Sequence, residues 1–401
     1  MTASRPVFRG PEFIALAAFM MSVFALSIDI TIPALALIGR DLAVANANDA
    51  QYIVSVLVLG MALGQIFYGP LSDSIGRKPS IYVGLALFSA GSIVSLVATD
   101  FPTMLAGRLL QGLGAAGPRI VIMALVRDQF AGPAMARIMS LVITVFVAVP
   151  MVAPFIGQGI LFVATWRAIF VLLLISSLAV LVWFAIRQPE TLAAEARRPF
   201  ALRPIAAATR EIFASRPALA YTIAAGFAFG AIFGYINSAQ QIFQDLYRVG
   251  NYFPFYFSSL TIAVGAATLS NARLVAFVDL HRLCRYSAWA QAVLSIIYFA
   301  VTYACAGVPP LWATMVYLAA LFYCLGILFG NLNALAMAPM GHIAGIAASV
   351  IGTLSWLLTV VFGTLIGQSY DGTLLPLVGG FALLSLACSA ALAWARPKRS
   401  A

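Results

Sequence analysis

The sequence predicts an all-α polytopic membrane protein with twelve transmembrane helices, and three observations support this fold class. Hydrophobic residues make up 63% of the 401-residue chain and charged residues only 9%, whereas soluble domains carry about 25% charged residues. Twelve apolar runs follow one another along the chain, and each has the roughly 20 residues that a membrane-spanning helix needs. Because lipid offers the backbone no hydrogen-bond partners, we expect each run to be helical.

The apolar runs define the predicted spans in chain order. They lie at residues 13–38, 50–71, 80–98, 102–126, 135–160, 165–187, 217–241, 253–278, 284–306, 310–338, 343–368 and 373–395. The first run follows Arg5 and Arg9 and resembles a signal peptide, but it is too long for one and contains Asp29. We therefore expect this run to be the first span rather than a cleaved leader.

The basic residues predict the orientation of the spans, because cytoplasmic loops carry an excess of Lys and Arg. With a cytoplasmic N-terminus, 17 basic residues fall in the cytoplasmic loops and tails, and the outer loops hold only Arg40, Arg167 and Arg248. We expect a multi-pass protein with both termini in the cytoplasm. The net charge of +10 is scattered over short loops, so no surface for nucleic acid is predicted.

One long loop divides the predicted spans into two sets of six. We predict an N-terminal six-helix bundle in residues 1–187, a cytoplasmic linker in 188–216 and a C-terminal six-helix bundle in 217–401. Symmetric halves are typical of secondary transporters. Residues 198–216 fit either a short amphipathic helix on the inner membrane surface, with Phe213 on its apolar side, or a solvated linker.

The reactive residue types argue against an enzyme. The four cysteines lack paired spacing and are expected to be free and buried, and the two histidines, His281 and His342, fall in predicted loops. We therefore expect no metal site. No nucleophile is accompanied by a base, as an active site would require. A membrane sensor is the alternative from outside transport, but the longest loop is too short for a soluble signalling domain.

Charged residues inside predicted spans are rare, and their default interpretation is functional. Asp29 in the first span and Arg108 in the fourth lie about 13 Å and about 9 Å from the outer membrane surface, at 1.5 Å of rise per residue. Their similar depths are compatible with an ion pair or a shared water cavity in which Asp29 takes up a proton. The alternative is a static pair that only holds helices together.

A second arginine of the fourth span, Arg119, lies on the same helical stripe as Arg108 and Gln111. It faces either a substrate cavity or, by extending its side chain, the inner membrane surface. A cavity with two arginines and one carboxylate favours neutral, zwitterionic or anionic substrates over organic cations.

Uncharged polar residues accompany aromatic residues in the second half of the chain. An apolar, aromatic pocket with a few amides suits a drug-like ligand. The candidate substrate-cavity residues there are Tyr235, Asn237, Gln240, Asn331 and Asn333. The alternative is that these aromatic residues belong to ordinary helix packing.

The loop between the second and third spans, Gly69–Pro79, has the composition of a conformational latch. Gly69 and Gly76 supply turn chemistry, and Arg77 has Asp128, at the foot of the fourth span, as a candidate partner. Asp73 is expected to lie near the positively polarised start of the eleventh span when the inner side is closed. The loop would then favour the outward-facing state.

Two prolines interrupt the fifth span at Pro150 and Pro154, followed by Gly157. Proline removes a backbone donor and bends a helix. We expect this bend to form part of the outer gate, with the general abundance of proline in membrane helices as the alternative.

Together these stretches resemble the major facilitator superfamily, specifically its twelve-span drug:proton antiporters. Gly69–Pro79 resembles the superfamily's signature between helices 2 and 3, and Leu105–Gly114 resembles its helix 4 signature. The segment Ala148–Gly157 is similar to the antiporter motif, although Ala148 stands where Gly-Pro is usual. Asp29–Leu35 and Val126–Asp128 resemble the bicyclomycin and chloramphenicol resistance subfamily.

The resemblance implies two six-helix bundles around a central cavity that opens alternately to each side of the bacterial cytoplasmic membrane. It implies proton antiport with Asp29 and Arg108 as the coupling pair, powered by the proton gradient without a cofactor. The expected function is multidrug efflux of small amphipathic compounds by a monomer in the lipid bilayer. The alternative within transport is export of a metabolite such as a sugar, peptide or amino acid.

Overall fold

A computed structural model describes residues 10–201 and 203–395, and within them it contains helices and no β-strand. The helices are α1 Pro11–Asp29, α2 Leu35–Asp41, α3 Tyr52–Ile75, α4 Arg77–Leu96, α5 Phe101–Gln129, α6 Gly132–Val163, α7 Arg167–Arg187, α8 Arg203–Ala214, α9 Arg216–Gln240, α10 Phe253–Leu274, α11 Leu280–Ala304, α12 Leu311–Met337, α13 Ala344–Gln368 and α14 Leu375–Trp394. Part of the predicted orientation depends on terminal basic residues outside the described residues, namely Arg5, Arg9, Arg396, Lys398 and Arg399.

The described residues contain 11 helical stretches that are long and apolar enough to cross a membrane. The stretch Leu311–Gln368 has 58 residues and contains both α12 and α13, which are separated at the non-helical residue Met340. Since α12 has 27 residues and α13 has 25, each is long enough for its own crossing. Every one of the twelve predicted spans therefore corresponds to a helix, and the all-α fold class is confirmed.

The first span is broken immediately after Asp29. A short 3-10 turn, Ile32–Ala34, separates α1 from α2, because Pro33 has no backbone N–H to continue the helix. The Thr31 hydroxyl donates to the Ile28 carbonyl at 2.8 Å, which partly satisfies the end of α1. Asp29 thus lies at a helix end inside the first span.

The described residues form two compact units. The first comprises residues 10–31 and 56–201, and the second comprises 32–55 and 203–395. The chain passes from one unit to the other three times, and the proposed linker, 188–216, contains the third of these points. The first unit holds the charged residues of the candidate site.

Helix α5 is held between α3 and α4 of the first unit by close backbone contacts. A Cβ atom added to Gly112 would overlap the Leu57 carbonyl of α3, and one added to Gly114 would overlap the Phe88 amide of α4. Small residues at such positions let membrane helices approach closely. This packing fixes the rotation of α5 and therefore the direction of its arginine and glutamine side chains.

Gly112→Ala is expected to destabilise the protein by about 1–3 kcal/mol, because overpacking forces backbone shifts. The measurement is the free energy of unfolding of the purified protein in mixed micelles. The matched control is Gly159→Ala in α6, where an added Cβ meets nothing within 4 Å. Equal effects of the two substitutions would contradict the packing explanation.

The predicted linker contains an amphipathic helix, α8, in the second unit. Ile205, Ala208 and Ile212 are buried on one side of α8, which packs against α9 and α13. Phe213 is 53% exposed, and its place on the apolar side remains a prediction. It follows Ile212 directly, and successive residues of a helix point about 100° apart.

The structure corrects two smaller predictions, the burial of one cysteine and the position of one histidine. All four cysteines are free, as predicted, but Cys305 is exposed because it lies beyond the end of α11. His281 lies in the first turn of α11 rather than in a loop, and its Nδ1 is 2.9 Å from the Tyr221 hydroxyl. The described residues contain no cluster of three or more His, Cys, Asp or Glu that could hold a metal ion.

Candidate functional site

Arg108 is the largest fully buried charged side chain in the described chain, and its contacts define the centre of the first unit. Its Nη2 donates to the Ser27 carbonyl of α1 at 2.9 Å, and its Nη1 donates to Gln111 Oε1 at 2.9 Å. Gln111 Nε2 donates in turn to the Ser92 hydroxyl of α4 at 2.8 Å. The ring of Phe170 on α7 lies 5.8 Å from the guanidinium carbon. One arginine therefore links four helices.

Asp29 is 4% exposed and ends α1, two residues after the carbonyl that Arg108 contacts. Arg108 contacts the backbone of the acid's own helix at Ser27. Burying a charged carboxylate is costly, so the gain or loss of a proton at Asp29 would change the electrostatics around Arg108.

Gly157 brings α6 against the same part of α1. A Cβ atom at this position would overlap the carbonyl of Ile30, the residue directly after Asp29. Pro150 and Pro154 lie on the preceding turns of α6, which continues through both prolines. The proposed gate function of the bend remains a prediction.

Arg119 lies on α5 on the same side as Arg108. Its Nη1 donates to Gln65 Oε1 at 3.2 Å and approaches the Met61 sulfur at 3.4 Å, both on α3. Its guanidinium carbon lies 5.9 Å from the ring centre of Phe24 on α1. Gln65 and Met61 were not among the predicted site residues. The amide of Gln65, in the middle of an otherwise apolar span, is the signal that could have identified it.

A polar cluster surrounds Arg77, the first residue of α4, whose side chain is 6% exposed. The prediction of a loop over Gly69–Pro79 was wrong, since α3 continues through Pro70 to Ile75 and only Gly76 separates it from α4. Arg77 Nε donates to Asp128 Oδ2 at 2.9 Å, which is the partner that the sequence suggested. Arg77 Nη1 donates to Asp73 Oδ1 and also to the Ser72 hydroxyl, at 2.9 Å. The predicted approach of Asp73 to the eleventh span remains a prediction.

Glu190, which the sequence analysis did not single out, caps the start of α4. Its Oε1 accepts from the Arg77 amide and its Oε2 from the Lys78 amide, each at 3.0 Å. Gly76 precedes these amides with φ of 106°, a conformation that favours glycine. A carboxylate at a helix N-terminus satisfies free N–H groups and complements the helix dipole.

Glu190→Ala is expected to destabilise the protein by about 1–2 kcal/mol, the usual effect of losing a side chain that caps a helix start. The free energy of unfolding in mixed micelles measures the effect. Glu195→Ala is the control, because Glu195 is exposed in the same linker. A Glu190 variant as stable as the control would show that the capping contacts contribute nothing measurable.

The candidate residues of the second unit do not form one cluster. Tyr235 is 1% exposed and packs among Phe243, Phe257 and Phe322. The Asn331 amide nitrogen donates to Asn271 Oδ1 at 2.7 Å, and the Asn271 amide returns a bond of 3.1 Å.

The remaining candidates of this unit have separate contacts. Asn333 is exposed. Asn237 donates to the Gly363 carbonyl at 3.3 Å. Gln240 lines a cavity of about 290 Å³ together with Arg40, Gln241 and Asp245.

Comparison with known proteins identifies the family. The sequence profile of the Major Facilitator Superfamily matches residues 17–364. The chain is 29% identical to a bicyclomycin resistance protein homolog of Haemophilus influenzae, over 88% of this chain and 87% of the relative. It is 24% identical to multidrug resistance protein D of Escherichia coli, over 92% of this chain and 94% of that protein.

A solved structure shows the same fold. The xylose transporter XylE from E. coli superposes with a TM-score of 0.72, covering 94% of this chain and 96% of that chain at 13% identity. The predicted resemblance to bicyclomycin resistance proteins is confirmed by the Haemophilus relative. Members of the superfamily are membrane transporters rather than enzymes. Because the profile covers most of the chain and the fold agrees, this chain belongs to the Major Facilitator Superfamily of membrane transporters.

Proposed function

We propose that this transporter exports small amphipathic, drug-like compounds across the bacterial cytoplasmic membrane in exchange for protons. The names of its relatives, a bicyclomycin resistance protein homolog and a multidrug resistance protein, support the drug-export part of this proposal. The observation that carries proton coupling is the burial of Asp29 at the end of α1, beside the backbone that Arg108 holds.

In the proposed cycle, Asp29 binds a proton from the outer side and releases it to the cytoplasm. Protonation removes the charge of a buried carboxylate, which changes the cost of closing the site around it. The positive charge of Arg108, held by Ser27 and Gln111, stabilises the deprotonated form. Substrate and proton then alternate at the site, so that proton entry drives substrate exit.

The polar cluster around Arg77 is proposed to act as the inner latch of this cycle. Its hydrogen bonds to Asp73 and Asp128 join the end of α3, the start of α4 and the end of α5. A change in these bonds accompanies a movement of the helix ends. We further propose a monomer that uses no cofactor and has both termini in the cytoplasm.

The proposed function is tested with a panel of drugs in a bacterial strain lacking its own efflux systems. Expression of the protein is expected to raise the inhibitory concentration of several amphipathic drugs, and a protonophore is expected to abolish dye efflux in the same cells. Unchanged drug sensitivity together with export of sugars, peptides or amino acids would favour the metabolite exporter. Efflux that survives the protonophore would exclude the proton gradient as the energy source.

A further inference from the structure

Gln65 on α3 carries a buried hydrogen-bond donor beside Arg119. The residue is 3% exposed, and among the residues that the structure describes its Nε2 has no hydrogen-bond partner. Its Oε1 accepts from Arg119 Nη1 at 3.2 Å. Since a guanidinium has only donors, it must face the amide oxygen, and this contact fixes which side of the amide carries the nitrogen.

Two hydrogen-bond donors therefore lie side by side, the neutral Gln65 Nε2 and the cationic Arg119 guanidinium. Gln65 Nε2 and Oε1 are bonded to the same carbon atom. Gln65 Nε2 therefore lies close to Oε1, the atom that accepts the hydrogen bond from Arg119. A buried donor without an acceptor is unfavourable, and an acceptor brought by a ligand would remove that cost. A carboxylate has two oxygens and accepts charge-assisted hydrogen bonds from guanidinium groups. While one carboxylate oxygen accepts from Arg119, the other can accept from Gln65 Nε2.

The surroundings of the two donors are apolar. The Met61 thioether lies 3.4 Å from Arg119 Nη1, and the Phe24 ring lies 5.9 Å from the guanidinium carbon. Arg119 itself is partly exposed, whereas Gln65 is buried. A ligand with an anionic end and an apolar body would match both the donors and their surroundings.

We propose that Arg119 and Gln65 together bind the carboxylate of an amphipathic monocarboxylate substrate. The carboxylate draws the Arg119 side chain toward it and accepts a hydrogen bond from Gln65 Nε2, while the apolar body of the substrate lies against Met61 and Phe24. This proposal names a substrate class for the proposed exporter and therefore rests on that function.

The test compares two probes that differ in one functional group, dansylglycine with a carboxylate and dansylglycinamide with a neutral amide. Transport is measured in proteoliposomes with an imposed proton gradient. The half-saturating concentration of dansylglycine is expected to be at least about tenfold lower than that of the amide, the usual scale for hydrogen bonds to charged groups. Equal values for the two probes would overturn the proposal.

Three variants assign the effect to the two side chains. Arg119→Gln is expected to raise the half-saturating concentration of dansylglycine by about tenfold or more, and Gln65→Leu by a few-fold, with little change for the amide probe. Gln65→Glu places a carboxylate of the protein beside Arg119 and is expected to abolish the preference for dansylglycine. Arg137→Gln, at an exposed position of α6, is the control for loss of a positive charge.

The measurements separate this proposal from the proposed function. If the wild-type protein transports neither probe, the exporter function fails for these compounds, and the carboxylate site is judged from binding alone. Thermal stabilisation of the purified protein by dansylglycine, but not by dansylglycinamide, is then the expected result. Variants that change the response to both probes equally would assign Arg119 and Gln65 a structural role only. Gln65→Glu also controls for folding, because its carboxylate can pair with Arg119.

Discussion

Asp29→Asn is expected to abolish export against a concentration gradient while leaving downhill exchange of substrate intact. The amide has the shape of the protonated acid but cannot release a proton, so the carrier stays in one charge state. A single proton moving across a potential of 100 mV supplies about 2.3 kcal/mol, which sustains a substrate ratio of about 50-fold. The variant is expected to reduce this ratio to about one in everted vesicles energised by respiration.

The control for this experiment is Asp100→Asn at the start of α5. Asp100 is exposed, and its Oδ1 accepts from the Thr103 amide at 2.8 Å, a capping role that asparagine also fills. We expect unchanged export from this variant. An Asp29→Asn protein that still accumulates substrate against its gradient would show that Asp29 is not the coupling residue.

The helices of this protein were predictable because each is specified locally. A run of apolar residues long enough to cross the bilayer must be helical whatever its neighbours are, so the twelve runs match the helices to within a few residues at most ends. The interruption after Asp29 was not predicted, although Pro33 was visible. Proline is tolerated in many membrane helices, and only the surrounding packing decides whether the helix continues.

The residues of the candidate site were partly predictable, because charge inside an apolar span stands out in any sequence. Asp29, Arg108 and Arg119 were identified in this way. Their partners were not, since hydrogen bonds such as that from Arg108 to the Ser27 carbonyl join residues 81 positions apart. Glu190 was missed for the same reason. Its role depends on two amides of α4 that follow Gly76, over a hundred positions earlier.

Arg108→Lys is the second substitution with a large expected effect. It keeps the positive charge but removes the planar guanidinium, whose nitrogens donate in different directions. In the structure, two different guanidinium nitrogens donate to the Ser27 carbonyl and to Gln111 Oε1. A lysine ammonium is a single point on a flexible chain and does not reproduce both directions at once. The lost hydrogen bond to a charged group is worth about 1.5–3 kcal/mol, which corresponds to about a 10- to 150-fold decrease in proton-driven transport.

Proton-driven uptake of substrate into everted vesicles measures this decrease, and Arg137→Lys is the matched control at an exposed position of α6. If positive charge alone were needed near Asp29, Arg108→Lys would transport like the wild type, and the geometry of the arginine would be irrelevant. If the bonds to Ser27 and Gln111 position the charge beside the end of α1, transport falls while the purified variant keeps its helical content. The comparison therefore separates the charge of Arg108 from its placement, on which the proposed coupling at Asp29 is expected to depend.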